Sequence, residues 1–393
     1  MSALRIEARQ NWVMASTQTG VLLIADITGY SQFLSSSELE HANQVLEALL
    51  GLLVDMTKPP LRIAGLEGDA VLSHVMGGVD LAGQTFAEIV EQTYVAFRRA
   101  IEQMVLNTSC TCNACANIST LDLKFFVHHG TFALQKVGDR TELVGSDVVF
   151  IHRLLKNQIR ATTGIVAYAA HTTQAIRALG LDSPGFLAHR ETFETIGETT
   201  LFVTDLHPVW EESRNRVIVE LPSAGIVLDG AVTIPLAPEV VWDYLAKPDF
   251  RRLLLRAKRT DVTGRSDGRI GEGSAFKCYH GGGRETTQLI VAWQPFTRMM
   301  TRDQVTSAVT CLIEYVLDPV EGRTLLTVRG GAVAGPLVGR WVISHGLRLM
   351  KKRHEEDLRR FAEAIVADHE SRVASLTARQ STSRCGRRWG GHG

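Results

Sequence analysis

One stretch near the start of the chain, Val21-Leu-Leu-Ile-Ala-Asp26-Ile-Thr-Gly29, constrains the fold more than any other. A short unbroken apolar run predicts a strand buried on both faces. A carboxylate at the tip of such a strand, here Asp26, is seldom there for packing, because a buried charge is costly unless partnered. A second aspartate lies in Leu66-Glu-Gly-Asp69-Ala-Val-Leu72, where Gly68-Asp69 forms a turn between apolar runs at 61–63 and 71–75. Brought together across a sheet, two strand-end aspartates hold divalent cations through hard oxygen ligands. Taken singly, Asp26 also reads as the cap of a helix starting near Tyr30, and Asp69 as a hairpin residue.

The following segments build a sheet around these residues. A helix is predicted over about 38–56 from the stripe Leu39, Ala42, Val45, Leu46, Leu49 and Leu53, and Pro59-Pro60 ends it. After a break at Gly77-Gly78, Phe86, Ile89, Val90, Tyr94 and Phe97 predict a second helix over about 81–106. Alternation at Leu121, Leu123, Phe125 and Val127 predicts a strand to 132, a short strand follows at 141–144, and a helix starts at Asp147. The order β-α-β-β-α-β is the split βαβ, ferredoxin-like arrangement, an antiparallel sheet with helices on one face. Two more units, at 169–178 and 192–204, complete a first domain at 18–205. The charged, aperiodic stretch after it reads as a linker, 206–223.

From residue 224 the pattern changes. A strand at 226–234 leads through Pro235 and Pro238 into a short helix, then into glycine-punctuated strands at 273–280, 285–293, 298–305, 308–317 and 324–330. A long helix over about 336–368 closes this second domain, 224–368. An antiparallel sheet wrapped on one amphipathic helix predicts a concave apolar interior for a small hydrophobic ligand. Trp242, Phe276, His280, Trp293, Leu312 and Met350 are its candidate lining. Residues 369–393 carry five arginines and one glutamate among Gly, Ser and Thr, and read as a disordered basic tail.

With 42 basic and 42 acidic residues in 393, the chain shows no sign of a nucleic-acid surface. No apolar run reaches the roughly 18 residues of a membrane span, and the first residues lack the apolar core of a signal peptide. The expected compartment is the cytoplasm, where the six cysteines stay reduced or bind metal. Cys110, Cys112 and Cys115 fall within six residues; thiolates this close favour Zn²⁺, which needs a fourth ligand. His128, His129 or a residue of a second subunit is the expected donor.

The motifs of the first domain carry a resemblance. Ala25-Asp-Ile-Thr-Gly-Tyr-Ser31, Glu67-Gly-Asp-Ala70, Phe126-Val-His-His-Gly130 and Gly145-Ser-Asp-Val-Val-Phe-Ile-His-Arg-Leu154 resemble, in order, four motifs of class III nucleotide cyclases. The resemblance implies Mg²⁺ or Mn²⁺ held by Asp26, Asp69 and the carbonyl of Ile27. It implies Arg153 as transition-state stabiliser and a homodimer with nucleotide sites between subunits. Three family positions are substituted. The base-reading lysine falls at Gly65, the second base-reading residue at Glu142, and the ribose-orienting asparagine at Val149. The expectation is therefore a degenerate cyclase-like domain that binds metal or nucleotide without turnover, with an active cyclase making a cyclic nucleotide from ATP or GTP as the alternative. In the second domain, Val232-Thr-Ile-Pro-Leu-Ala-Pro-Glu-Val-Val-Trp242, Lys247-Pro-Asp-Phe250 and Gly271-Glu-Gly-Ser274 resemble the START-like, polyketide cyclase/dehydrase superfamily. That resemblance implies a helix-grip fold and not an activity.

Overall fold

A computed structural model describes residues 17–57, 59–76, 82–138, 140–181, 185–193, 197–263 and 268–385. The break at Gly77-Gly78 and the helix start at 81 lie outside the described residues. The first half runs β1 (Thr17–Thr28), α1 (Tyr30–Ser35), α2 (Leu39–Met56), β2 (Arg62–Glu67), β3 (Ala70–Met76), α3 (Gly83–Asn107), α4 (Asn113–Asn117), β4 (Asp122–Val137), β5 (Arg140–Val144), α5 (Ser146–Leu154), α6 (Ile159–Thr163), β6 (Tyr168–Thr172), α7 (Thr173–Leu179), β7 (Leu187–Phe193), β8 (Gly197–Asp205) and α8 (His207–Asn215). Its sheet has the order β2-β3-β1-β4-β6-β8-β7, with β5 paired to β4.

The apolar run of β1 is continuous because both faces are covered. Val21, Leu23, Ala25 and Ile27 pack with α2 and α3, while Leu22 and Ile24 pack with Val148, Ile151 and Leu154 of α5. Helices thus occupy both faces, where the split βαβ order predicts one. Part of the expected linker is also a helix: α8 buries Trp210 in the same core as α3.

The second half runs β9 (Ile226–Ile234), α9 (Pro238–Ala246), α10 (Pro248–Leu255), β10 (Arg259–Thr263), β11 (Ala275–Tyr279), β12 (Glu285–Gln294), β13 (Arg298–Thr306), β14 (Val309–Val320), β15 (Arg323–Ala334), α11 (Leu337–Leu349) and α12 (Lys351–Cys385). Every pairing in its seven-stranded sheet, β10-β11-β12-β13-β14-β15-β9, is antiparallel. Leu358, Phe361 and Ile365 of α12 enter its core with Trp242, Phe276 and Tyr315. Two expectations change here. The closing helix is two helices that meet at Met350, and the second continues to Cys385, so 369–385 is helical rather than a disordered tail.

The core of this domain also holds a cation. Arg251 is fully buried between the rings of Phe276, at 4.3 Å, and Tyr315, at 5.1 Å, and donates to Gln288 Oε1 at 3.0 Å. Gln288 in turn donates to Asp303, whose carboxyl burial pushes above the usual range.

One helix belongs to both cores. Phe86, Val90, Tyr94, Phe97 and Ile101 of α3 face the first sheet. Residues 84, 85, 88 and 91, on another side of the same helix, hold the second domain. Gln84 brackets Ile270, donating to its carbonyl at 2.6 Å and accepting from its amide at 2.9 Å. Thr85 donates to Asp243 at 3.0 Å, and Arg269 holds Glu91 bidentately at 2.6 and 2.9 Å. Buried between them, Glu88 accepts from Trp242 Nε1 at 3.1 Å, Trp293 Nε1 at 2.9 Å and Gln84 Nε2 at 3.0 Å. Burial outweighs these donors and raises the Glu88 carboxyl to about 7.

The folded protein therefore keeps a proton on Glu88 that the unfolded chain releases near its ordinary value of 4.5. Stability from this group is present below pH 4.5 and is lost as pH rises through about 7, by at most about 3 kcal/mol. In urea unfolding, wild type is expected to exceed Glu88→Gln at pH 5, with the margin shrinking by pH 8. Glu88→Ala strands two buried indole N–H groups, each worth about 1–3 kcal/mol, at both pH values. A margin independent of pH would contradict a raised Glu88.

Candidate functional site

Strand pairing sets the two aspartates side by side. Asp26 of β1 lies opposite Ala70 of β3 on one side and Lys124 of β4 on the other. Asp69, in the turn before Ala70, accepts from the Ile27 amide through its backbone carbonyl at 3.2 Å. The turn requires Gly68, whose φ of 65° is left-handed. Asp26 is buried, and that burial raises its carboxyl above the usual range; Lys124 opposes the rise and the charge of Asp69 adds to it.

Lys124 is the residue that the motif reading missed. Its Nζ sits 2.9 Å from Asp26 Oδ2. The buried acid already has an internal cation, so the donor set does not fit two divalent ions in this arrangement. The signal was present, since Lys124 interrupts the apolar residues Leu123, Phe125, Phe126 and Val127.

The remaining positions of the motif reading lie on β2, β5 and α5. Arg153 is half-exposed on α5 and makes no ion pair among the described residues. Its neighbour His152 bridges to Glu67 of β2, tying α5 to the Asp69 hairpin. Gly65 lies at a register shift in β2, Glu142 is exposed on β5, and Val149 is exposed on α5. The Gly130 position has a clear cause: a Cβ there would fall 2.5 Å from the Asp147 side chain, whose Oδ2 accepts from the Thr131 amide at 2.6 Å.

The cysteine loop finds its fourth donor elsewhere than expected. His128 is buried against Thr172, at 3.0 Å, and Asp147, at 3.4 Å, and burial lowers its basicity. The residue at the thiols is His41 of α2. Its Nδ1 lies 3.1 Å from Cys112 Sγ, 3.6 Å from Cys110 Sγ and 4.0 Å from Cys115 Sγ. All four ligand atoms lie within 4.8 Å of one another, a group that can hold a metal ion. Glu38, the N-cap of α2, accepts from the Ala114 amide at 3.1 Å and so fixes α4 beside His41. Nothing local in the sequence marks His41, because the apposition of α2 and α4 is tertiary.

The expected lining of the second domain does not gather around one cavity. Trp242 and Phe276 are sealed in the core, Leu312 is partly buried, and His280 bonds Thr286 at 3.0 Å. Met350 is on the surface, and Trp293 lines a smaller cavity of about 270 Å³ beside Glu88. Arg251 and its partners Phe276 and Gln288 are buried in the core of that domain. A cavity of about 1000 Å³ opens between the two domains. Ile89, Val95 and Ala96 of α3 form one wall, Trp210 of α8 another, and Pro238 and Phe296 a third. Its rim carries Arg99, Arg214, Arg216 and Arg323 against Glu102 and Glu239. Arg214 pairs with Glu102 at 3.6 Å, and Arg216 donates to the Trp293 carbonyl at 2.9 Å. Arg99 and Arg323 make no ion pair among the described residues, which leaves cationic groups over an apolar floor.

Residues 46–163 match the family described as "Protein of unknown function (DUF2652)". Residues 226–366 match "Polyketide cyclase / dehydrase and lipid transport", and the antiparallel sheet closed by a long helix makes this region a START-like domain. The Mycobacterium tuberculosis protein Rv2561/Rv2562, named as uncharacterized, is 33% identical over 163 residues, 40% of this chain and 72% of that protein. Among solved structures the chain is similar to the guanylyl cyclase Cya2, at 15% identity and TM-score 0.38 over 48% of this chain and 92% of that one. It is also similar to the adenylyl cyclase CyaB from P. aeruginosa, at 13% identity and TM-score 0.37 over 48% of this chain and 95% of that one.

Proposed function

The chain belongs to the family of the M. tuberculosis protein Rv2561/Rv2562, and from that premise we propose that it is a ligand-responsive binding protein. In this reading a non-catalytic cyclase-type domain and a START-like domain share one ligand site. The observation that carries it is the cavity of about 1000 Å³ between the domains, at the upper end of small-molecule sites. Its apolar walls, with Arg99 and Arg323 that make no ion pair among the described residues, favour an apolar molecule with an anionic end. Because α3 is both a cavity wall and the clamp between the domains, a ligand there bears on their docking.

Loss of turnover is supported by Lys124 on Asp26 and by Gly65, Glu142 and Val149 at the base- and ribose-reading positions. The second reading, an active class III cyclase using Mg²⁺ or Mn²⁺ and working as a homodimer in the cytoplasm, is favoured by the adjacency of Asp26 and Asp69 and by unpaired Arg153. The cysteine group is read as a structural zinc site. Nitrogen–sulfur separations of 3.1, 3.6 and 4.0 Å bracket the value of about 3.6 Å that tetrahedral Zn–S and Zn–N bonds impose. When bound, zinc would crosslink the α2 start to the α4 loop through His41, Cys110, Cys112 and Cys115.

Two measurements check these assignments. Dodecanoate is expected to raise the melting temperature of the full chain by mass action. Ala96→Trp, which fills the cavity, should abolish the shift, and Arg99→Ala with Arg323→Ala should weaken binding roughly tenfold, about 1.4 kcal/mol. Absence of any shift with dodecanoate or dodecanol, or a shift untouched by Ala96→Trp, contradicts the shared site. Elemental analysis of protein purified without chelator under reducing conditions should find about one zinc per chain, lost in Cys112→Ser and His41→Ala. A metal-free chain contradicts the zinc reading.

A further inference from the structure

Helix α11 turns its apolar side chains to water. Leu337 is 79% exposed, Val338 76%, Trp341 68%, Val342 51% and Leu349 72%, and Met350 just beyond is 46% exposed. At about 100° per residue the five helical positions fall within an arc of about 140°. They form one stripe, and it is the outer one. The opposite side, with Gly339, Ile343 and Leu347, is the more covered one: a Cβ on Gly339 would meet Val309 Cγ2 at 2.7 Å, so the helix lies close on the sheet. No residue of α11 is buried, so this helix is not a core element that happens to be partly wet.

The flanking charge has one sign. Between 337 and 354 stand Arg340, Arg348, Lys351, Lys352 and Arg353 without a single acidic residue, in a chain whose formal net charge is zero. All five are exposed. On the stripe itself, Trp341 stacks on His345 with ring centroids 5.5 Å apart and planes within 5°. An exposed apolar stripe with a tryptophan, bordered by cations, is the build of a helix that lies in a lipid–water interface.

We infer that α11 docks this protein on the surface of an anionic lipid membrane, with Leu337, Val338, Trp341, Val342 and Leu349 entering the headgroup region. The cations favour this occupant over a second copy of the chain. An isologous contact through the same face would set five cations against five, without an acidic residue to neutralise them. Docking is peripheral: no helix among the described residues is long and apolar enough to cross a membrane. The inference rests on α11 alone and stands apart from the cavity between the domains.

Sedimentation of the full chain with vesicles tests it. The chain should bind vesicles of phosphatidylcholine with roughly one-third phosphatidylglycerol at least about tenfold better than phosphatidylcholine alone, and lose that preference in high salt. Trp341→Glu with Leu349→Glu should abolish binding to both. Lys351→Glu with Lys352→Glu should erase the anionic preference. All four positions are exposed, so circular dichroism and the melting temperature should match wild type. Failure of wild type to sediment with either vesicle overturns the inference. So does a Trp341→Glu/Leu349→Glu variant that still sediments, or one that changes the oligomeric state instead of vesicle binding; the latter assigns the stripe to self-association.

Discussion

A single carboxyl group held between two indoles organises this molecule. Glu88 sits on a helix that already serves the first domain's core, and its two oxygens satisfy Trp242 and Trp293 of the second. Once those N–H groups are buried they need acceptors, and no other side chain among the described residues bonds them. The rest of the contact follows from helical spacing: Gln84, Thr85 and Glu91 lie on the same side of α3 as Glu88 and take Ile270, Asp243 and Arg269. The next side of the helix, carrying Ile89, Ala96 and Arg99, is left facing the space between the domains. The cavity is thus a consequence of the clamp.

In the first domain, backbone geometry and packing fix the residues around the strand tip. The turn before Ala70 needs the left-handed Gly68, and Gly130 leaves room for the Asp147 side chain. Lys124, one register position across from Asp26, supplies the positive charge from within the chain. In the second domain, Arg251 is buried in the core against Phe276, and an apolar stripe lies outside, on α11.

The sequence resolved those parts of the structure that depend on local patterning. The strand at 226–234 and the β1 run emerge as read, because a period of two or an unbroken apolar run leaves few alternatives. The cysteine cluster was legible as a group of thiols, but its histidine was not, since His41 meets Cys112 only through the packing of α2 on α4. The candidate lining of the second domain depends on contacts of the same tertiary kind. Trp242 and Trp293 read as pocket walls in their own domain, and Glu88 arriving from the other takes both indole N–H groups. The linker and tail were read as irregular from their charge, yet Trp210 gives α8 a buried anchor and the long run after Lys351 stays helical. Charged composition alone did not distinguish a solvated helix from disorder.

The central proposal is that the first domain, whose motifs resemble those of nucleotide cyclases, walls a ligand site and does not turn over nucleotide. An assay of the purified full chain with ATP and GTP in saturating Mn²⁺, run beside Asp26→Ala, tests it most directly. The account predicts no cyclic nucleotide above the Asp26→Ala background, from either substrate. Production of cyclic AMP or cyclic GMP by wild type that disappears in Asp26→Ala would contradict it, and would require Lys124 to leave Asp26 during the reaction.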